Sequence, residues 1–377
     1  MKRRNFLRNA TLAGLSIATP FFCNKPQSDN ATQTPAAQTP EALSSSDRKL
    51  GIALLGLGGY AGGQLAPALQ DTRFCELRGI VTGTPDKIPT WQQKYSIKDR
   101  NVYSYETLPT ISQNDDIDVV YVVVPTGLHK KYAVMAAEAG KHVWCEKPMA
   151  MTVAECREII DACEQNGVEL CVGYRMQHED NTRKIIEFAE TKPYGEMQSV
   201  RAEAGYCCLQ NSSWRFDKEL GGGALYDMGV YVINGLRYAT GMEPIRVRSA
   251  KTTVNRPKLF TEVDETTEFE LEFPNGLIGY GKTSVGESTN FLRVDCEDGW
   301  YEVSPMQSYS GVAGRTSDGQ NWPPVTYDQQ TRQMDDDALA ILTNQPVMVP
   351  GIEGLRDIRI VNAIFESART GRPVDIV

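Results

Sequence analysis

The sequence predicts an α/β chain, with a doubly wound parallel sheet in its first half and an α+β second half carrying antiparallel strands. Three observations support this. Residues 117–124 are almost continuously apolar and β-branched, as in a strand covered on both faces. Between residues 49 and 170, short apolar runs alternate with amphipathic stretches of helix length, the pattern of repeated βα units. The segment 267–273 instead alternates strictly, with Phe269, Leu271 and Phe273 on one face and Glu268, Glu270 and Glu272 on the other, as in a half-exposed strand. At 377 residues the chain exceeds one usual domain, so two are expected, at 49–170 and 171–377.

Composition narrows the function classes. Hydrophobic residues make up 41% and charged residues 23%, an ordinary globular balance that excludes a mostly disordered chain. Acidic residues outnumber basic ones by 48 to 39, and no basic block follows the first eight residues, so nucleic acid is not an expected partner. The nine cysteines are scattered without a C-x-x-C pair, and only Cys207 and Cys208 are adjacent. No metal site or disulfide framework is expected, and buried free thiols are.

The first element reads as an address. Lys2, Arg3, Arg4 and Arg8 surround Asn5-Phe6-Leu7, and a weakly apolar run follows from Ala10 to Phe22. Residues 1–23 resemble a twin-arginine export signal, which implies a periplasmic protein exported folded. The run is too short for a resident membrane span, and no later segment approaches 18 uninterrupted apolar residues. Lipid attachment at Cys23 is the lesser alternative, because Phe22 before it is bulky. Residues 24–48 are rich in Ser, Thr, Gln, Pro and Ala and read as a flexible linker or arm.

From Lys49 the texture changes. Leu50–Leu55 predicts a first strand, a helix-like stretch runs on to Leu69, and Glu76–Val81 predicts a second strand. Helices are expected at 129–140 and 151–167. In the latter, Thr152 and Glu155 form a capping-box pair, and Gly167 is the natural stop. Between the first strand and its helix lies Gly56-x-Gly58-x-x-Ala61, where a Rossmann dinucleotide fingerprint belongs. Gly56 permits the tight turn, Gly58 lets the backbone approach a pyrophosphate, and Ala61 permits close helix–strand packing. After the second strand, Thr82-Gly83-Thr84-Pro85-Asp86-Lys87 offers two hydroxyls and an ammonium with no carboxylate at 82–84. A 2′-phosphate needs such donors, so NADP is favoured over NAD.

Two separated motifs carry candidate chemistry. A predicted strand at 142–145 ends in Glu146-Lys147-Pro148, which places Lys147 where ligands bind beyond the carboxyl ends of parallel strands. Pro148 disfavours helical geometry at Lys147. The second motif, Gly221-Gly222-Gly223 leading into an apolar helix, carries Asp227 and Tyr231 four residues apart, on one helical face. An ammonium near a phenol favours its ionised form, so Lys147 beside Tyr231 would make the tyrosine a proton acceptor for a sugar hydroxyl. On spacing alone, an aromatic core position with a surface aspartate is the plainer reading.

Taken together, Gly56-Leu57-Gly58-Gly59-Tyr60-Ala61, the 82–87 segment, Cys145-Glu146-Lys147-Pro148-Met149, Gly173-Tyr174-Arg175, Trp214-Arg215 and Asp227-Met228-Gly229-Val230-Tyr231 resemble the Gfo/Idh/MocA oxidoreductases, and within them the periplasmic glucose-fructose oxidoreductase branch. The resemblance implies that Lys147 is the catalytic lysine, Tyr231 the proton-transfer tyrosine and Asp227 a substrate-site aspartate. It implies cofactor contacts from Gly56, Gly58, Gly59, Tyr60, Ala61, Thr82, Lys87, Pro125, Glu146, Lys147, Arg175, Trp214 and Arg215. It also implies a large open, mostly antiparallel sheet in the second half, whose outer face pairs subunits into a homodimer or homotetramer.

In that half, Pro274-Asn275-Gly276 predicts a hairpin turn after the alternating strand, and helices at 334–343 and 354–370 should pack back near the domain junction. The expected function is NADP-dependent hydride transfer between a pyranose C1 and a tightly bound nicotinamide. An NAD-dependent glycoside hydrolase of the same family and a non-catalytic sugar-binding protein are the alternatives.

Overall fold

A computed structural model describes residues 48–207 and 213–376. The expected export signal at 1–23, with Cys23, and all but the last residue of the expected arm lie outside the described residues.

The strands of the first half are β1 (Leu50–Leu55), β2 (Cys75–Val81), β3 (Val102–Tyr103), β4 (Val119–Val122), β5 (His142–Cys145) and β6 (Leu170–Val172). They form one parallel sheet in the order β3-β2-β1-β4-β5-β6. β1 shows why its residues are apolar throughout. Ala53 and Leu55 enter one core with Tyr132 and Ile159, while Ile52 and Leu54 enter a second core with Leu65 and Met334.

The strand expected at 117–124 is shorter, because pairing with β1 ends where Gly56 turns the chain; Val123 N makes the last bond, to Leu55 O, at 2.8 Å. The helix after β1 opens as a wide π turn, Ala61–Leu65, before α1 (Ala66–Ala68). Gly62 and Gly63 lie inside this turn, where helix propensity is lowest. α2 (Ile88–Tyr95), α3 (His129–Glu138) and α4 (Val153–Gln165) follow. The capping box on α4 is present in both directions, at 3.2 and 3.1 Å.

The second half contains α5 (Asp180–Thr191), β7 (Met197–Gly205), α6 (Val230–Thr240), β8 (Arg246–Thr253), β9 (Thr266–Glu272), β10 (Ile278–Ser284), β11 (Thr289–Cys296), β12 (Trp300–Val303), β13 (Gly314–Thr316) and β14 (Asn321–Trp322). It ends with α7 (Gln329–Thr343), α8 (Gly351–Thr370) and β15 (Val374–Asp375). Nine strands form an open sheet, β14-β13-β12-β11-β7-β10-β9-β8-β15, antiparallel throughout except for the parallel pair β7–β10. Phe269, Leu271 and Phe273 are buried together as the alternation predicts. The β9–β10 turn carries Gly276 at φ +83°, a conformation that favours glycine.

The closing helices join the halves. α7 returns to the first sheet, placing Met334 and Ala338 in its core, and Asp335 accepts the backbone N–H of Arg73 and Phe74 at 2.8 and 2.9 Å. α8 packs on α4, α6 and β8. The domain border expected at 170/171 falls inside β6.

Six cysteines are buried free thiols, as expected. Cys207 departs from that expectation, being disulfide-bonded.

Candidate active site

The strand order of the first sheet reverses between β1 and β4, and a cavity of about 630 Å³ opens at the carboxyl ends there. The glycine turn forms one wall. Gly56 has φ +99°, and a Cβ on it would come within 2.8 Å of Val123 O, so both conformation and space require glycine. A Cβ on Gly58 or Gly59 would meet nothing within 4 Å, so the backbone faces open cavity. Ala61 is fully buried against the sheet. These features fit a dinucleotide phosphate cradle. Thr82 and Thr84 line the same wall, and Thr84 N donates to Thr82 Oγ1 at 3.1 Å. Lys87 folds back over the turn, its Nζ donating to Leu57 O at 2.7 Å.

At the other end, the Glu146-Lys147-Pro148 loop meets the glycine-led helix. Gly221 and Gly223 have φ +77° and +100°, and a Cβ on Gly222 would lie 2.4 Å from Arg215 O. This close approach brings Arg215 beside Asp227. The helix opens as a π turn, Leu225–Gly229, and continues as α6, and both Asp227 and Tyr231 reach the cavity wall.

Lys147 Nζ lies 4.4 Å from the Tyr231 ring centre and donates to the Asp227 backbone carbonyl at 2.9 Å. The Asp227 carboxylate is engaged elsewhere: Oδ2 accepts from Arg215 Nε at 2.7 Å and from Tyr206 Oη at 2.8 Å. Burial alone would push its carboxyl up, but Arg215 and Lys147 together hold it below the usual range, so it stays ionised. Glu146 accepts from Tyr121 Oη at 2.7 Å and from Lys147 N at 3.2 Å, and burial pushes its carboxyl up.

Of the residues singled out from sequence, all but Arg175 line this cavity. Arg175 sits behind the wall, 1% exposed, with its guanidinium carbon 5.2 Å from the Tyr231 ring centre and 4.8 Å from that of Tyr309.

Sequence reasoning missed several wall residues: Tyr105, Thr126, His129, Tyr206, Gln307, Ser308 and Tyr309. His129 is buried, with Nε2 2.8 Å from Val124 O and Nδ1 2.9 Å from Pro148 O. Burial lowers its pKa, and a neutral ring donates to one of these carbonyls while tying the end of β4 to the loop after Lys147. Tyr309 stacks toward Tyr60 with centres 5.9 Å apart, bridging the 304–313 loop and the glycine turn. The only sequence signal for it was a lone aromatic in a Ser/Gly-rich stretch.

Comparison with known proteins agrees with this geometry. Residues 50–174 match the oxidoreductase family with an NAD-binding Rossmann fold, and residues 182–302 match the GFO/IDH/MocA C-terminal domain. The chain is similar to a D-xylose 1-dehydrogenase [NADP(+)] of Haloarcula marismortui, 26% identical over 86% of this chain and 93% of that enzyme. It is also similar to the crystal structure of aldose-aldose oxidoreductase from Caulobacter crescentus complexed with glycerol. There the identity is 37%, over 87% of this chain and all of that one, with a TM-score of 0.83. An oxidoreductase domain protein from Kribbella flavida, 21% identical over 87% of this chain and 99% of that one, shares the fold at a TM-score of 0.75. With both halves matched in sequence and the nucleotide turn and lysine loop converging on one cavity, the chain belongs to the Gfo/Idh/MocA family of oxidoreductases.

Proposed function

We propose that this protein is an NADP-dependent sugar oxidoreductase that oxidises a pyranose at C1, in the manner of the glucose-fructose oxidoreductase branch. The observation that carries the reading is the convergence of Lys147, Asp227 and Tyr231 at one end of a cavity whose other end is the glycine turn with Lys87. The printed names of the relatives, an NADP-dependent xylose 1-dehydrogenase and an aldose-aldose oxidoreductase, support both the substrate class and the cofactor.

Gly58, Gly59, Thr82 and Lys87 would hold the dinucleotide, with Lys87 and the two threonines serving the 2′-phosphate. When bound, the nicotinamide supplies the hydride acceptor. The chain's own residues do the rest. Tyr231, without its proton, accepts the proton of the C1 hydroxyl, Lys147 keeps positive charge over the phenol ring, and Asp227, fixed by Arg215 and Tyr206, offers its second carboxylate oxygen to a sugar hydroxyl.

The reading extends to export into the periplasm by the segment 1–23 and to a cofactor that stays bound, because that compartment offers no obvious NADP pool. It includes a homodimer or homotetramer formed through the outer face of the nine-stranded sheet. Denaturing the purified protein and assaying the released nucleotide tests retention; light scattering tests the assembly. An aldose panel scored on reduced-nicotinamide absorbance tests the reaction. Lys147→Met and Tyr231→Phe should each lower turnover at least ~100-fold while still binding NADP. A protein that neither contains nor binds NADP, or a Lys147→Met variant with full activity, overturns the proposal.

A further inference from the structure

Arg175 has no task in the reaction so far described, and its surroundings are unusual for a buried cation. It forms no ion pair with any described carboxylate, and its hydrogen-bond partners are neutral. Nη1 donates to Gln329 Oε1 at 3.0 Å, while Nη2 donates to the Gln307 backbone carbonyl and, at 3.5 Å, to Gln307 Oε1. Nε has no partner among the described residues. A charge removed from water without a counter-charge is costly, and two tyrosine ring faces offset only part of that cost.

The titratable groups that act on Arg175 are Glu146 after β5, Tyr60 in the glycine turn, Tyr231 on α6 and Tyr309 in the 304–313 loop, with Lys147 and Asp227 lining the same cavity. Both acids are already occupied, Glu146 by Tyr121 and the Lys147 backbone, Asp227 by Arg215 and Tyr206. Of the three tyrosines that act on Arg175, Tyr231 has two described cations against its ring, Lys147 at 4.4 Å and Arg175 at 5.2 Å.

We infer that Arg175 is a positioning residue for proton transfer at Tyr231: its buried charge, ion-paired to no described carboxylate, sits behind the phenol and offsets the negative charge that ring carries when it is without its proton. The inference rests on the sugar-oxidoreductase reading above and adds a residue to it. In the step concerned, the O–H bond at C1 breaks and its proton adds to the Tyr231 oxygen. The C1 hydrogen leaves with its electron pair, to be taken up as hydride by the oxidised nicotinamide, and C1–O becomes a carbonyl. The sugar is oxidised by two electrons, the nicotinamide is reduced by two, and Arg175 gains and loses no proton.

The test uses the full chain as wild type, Arg175→Met, Arg175→Lys and Tyr231→Phe. The readouts are kcat and KM for an aldose, NADP affinity from quenching of tryptophan fluorescence, and the thermal midpoint. Arg175→Met should lower kcat about 100-fold, with KM and NADP affinity within about threefold of wild type, and Arg175→Lys should recover at least about tenfold of the loss. An unchanged kcat, a loss confined to KM or NADP affinity, or a Lys variant no better than Met overturns the proposal. Should Arg175→Met fail to fold, Arg175→Lys decides: kcat within about tenfold of wild type supports the charge, and a loss beyond about 100-fold with normal NADP affinity overturns it. Tyr231→Phe separates the two levels. Full activity in that variant sinks both the reaction assignment and this inference, whereas an inactive Tyr231→Phe beside a fully active Arg175→Met sinks the inference alone.

Discussion

Lys87 spends its ammonium on the Leu57 carbonyl 2.7 Å away, so its charge is delivered to the glycine turn instead of to solvent. From that position Lys87→Ala should weaken NADP binding by about tenfold and leave NAD binding within about twofold, measured by fluorescence titration with both nucleotides. A second residue-scale effect lies away from the cavity. Asp337 on α7 is buried beside Asp336 and His178, and burial pushes its carboxyl from 3.8 up to about 6. With the folded value raised, its favourable contribution is complete below about pH 4 and is lost as pH rises through about 6. Asp337→Asn should therefore stabilise the protein at pH 7.5, by at most about 3 kcal/mol, and the gain should vanish near pH 4 in thermal melts across that range. Lys147, Asp227 and Tyr231 were legible because each sits in a motif with its own turn residues. Gln307 and Tyr309 were not, since they meet Arg175 and Tyr60 across more than 130 residues of intervening chain, and Tyr206 was not because it reaches Asp227 from 21 residues away without a motif of its own.

At the scale of elements, legibility followed length and packing. β1, β2, β9 and α4 announce themselves through burial on two faces, strict alternation or a capping box, because each of these physical demands acts on adjacent residues. β3, β14 and β15 have two residues each, too few to carry a period, and they exist only because a neighbouring strand offers them an edge. The two π turns at 61–65 and 225–229 were equally invisible, since one extra residue per turn barely changes a pattern of apolar positions, yet both lie at the cavity wall. The cap of α4 gives a direct check. Thr152→Ala removes the oxygen that accepts the Glu155 N–H at 3.2 Å and should cost about 1 kcal/mol in urea unfolding, with activity unchanged.

For the whole molecule, the decisive contacts are those that hold the halves as one body. Arg237 on α6 is buried and donates to Asp357 at 2.6 Å, Glu353 at 2.8 Å and Glu243 at 2.6 Å, fastening α6 to α8, which in turn packs on α4 of the first half. Replacing Arg237 with Met leaves the fully buried Asp357 without its cation and should destabilise the protein by about 3–5 kcal/mol, read as a lower urea midpoint at an unchanged slope. That the first half forms a parallel sheet and the second a mostly antiparallel one was readable from texture. The return of α7 to the first sheet could be expected only loosely, because Met334 and Ala338 look the same in sequence whichever core receives them.

One further consequence follows from the parallel pairing of β7 with β10. Strands running the same way cannot be joined by a tight hairpin, so everything from Tyr206 to Leu277 is the stitch between them, and Arg215, Asp227 and Tyr231 are threaded onto it. A nascent chain that has not yet delivered Ile278 offers that helix β7 as a floor but not β10. The helix carrying Asp227 and Tyr231 gains its second supporting strand only when β10 arrives.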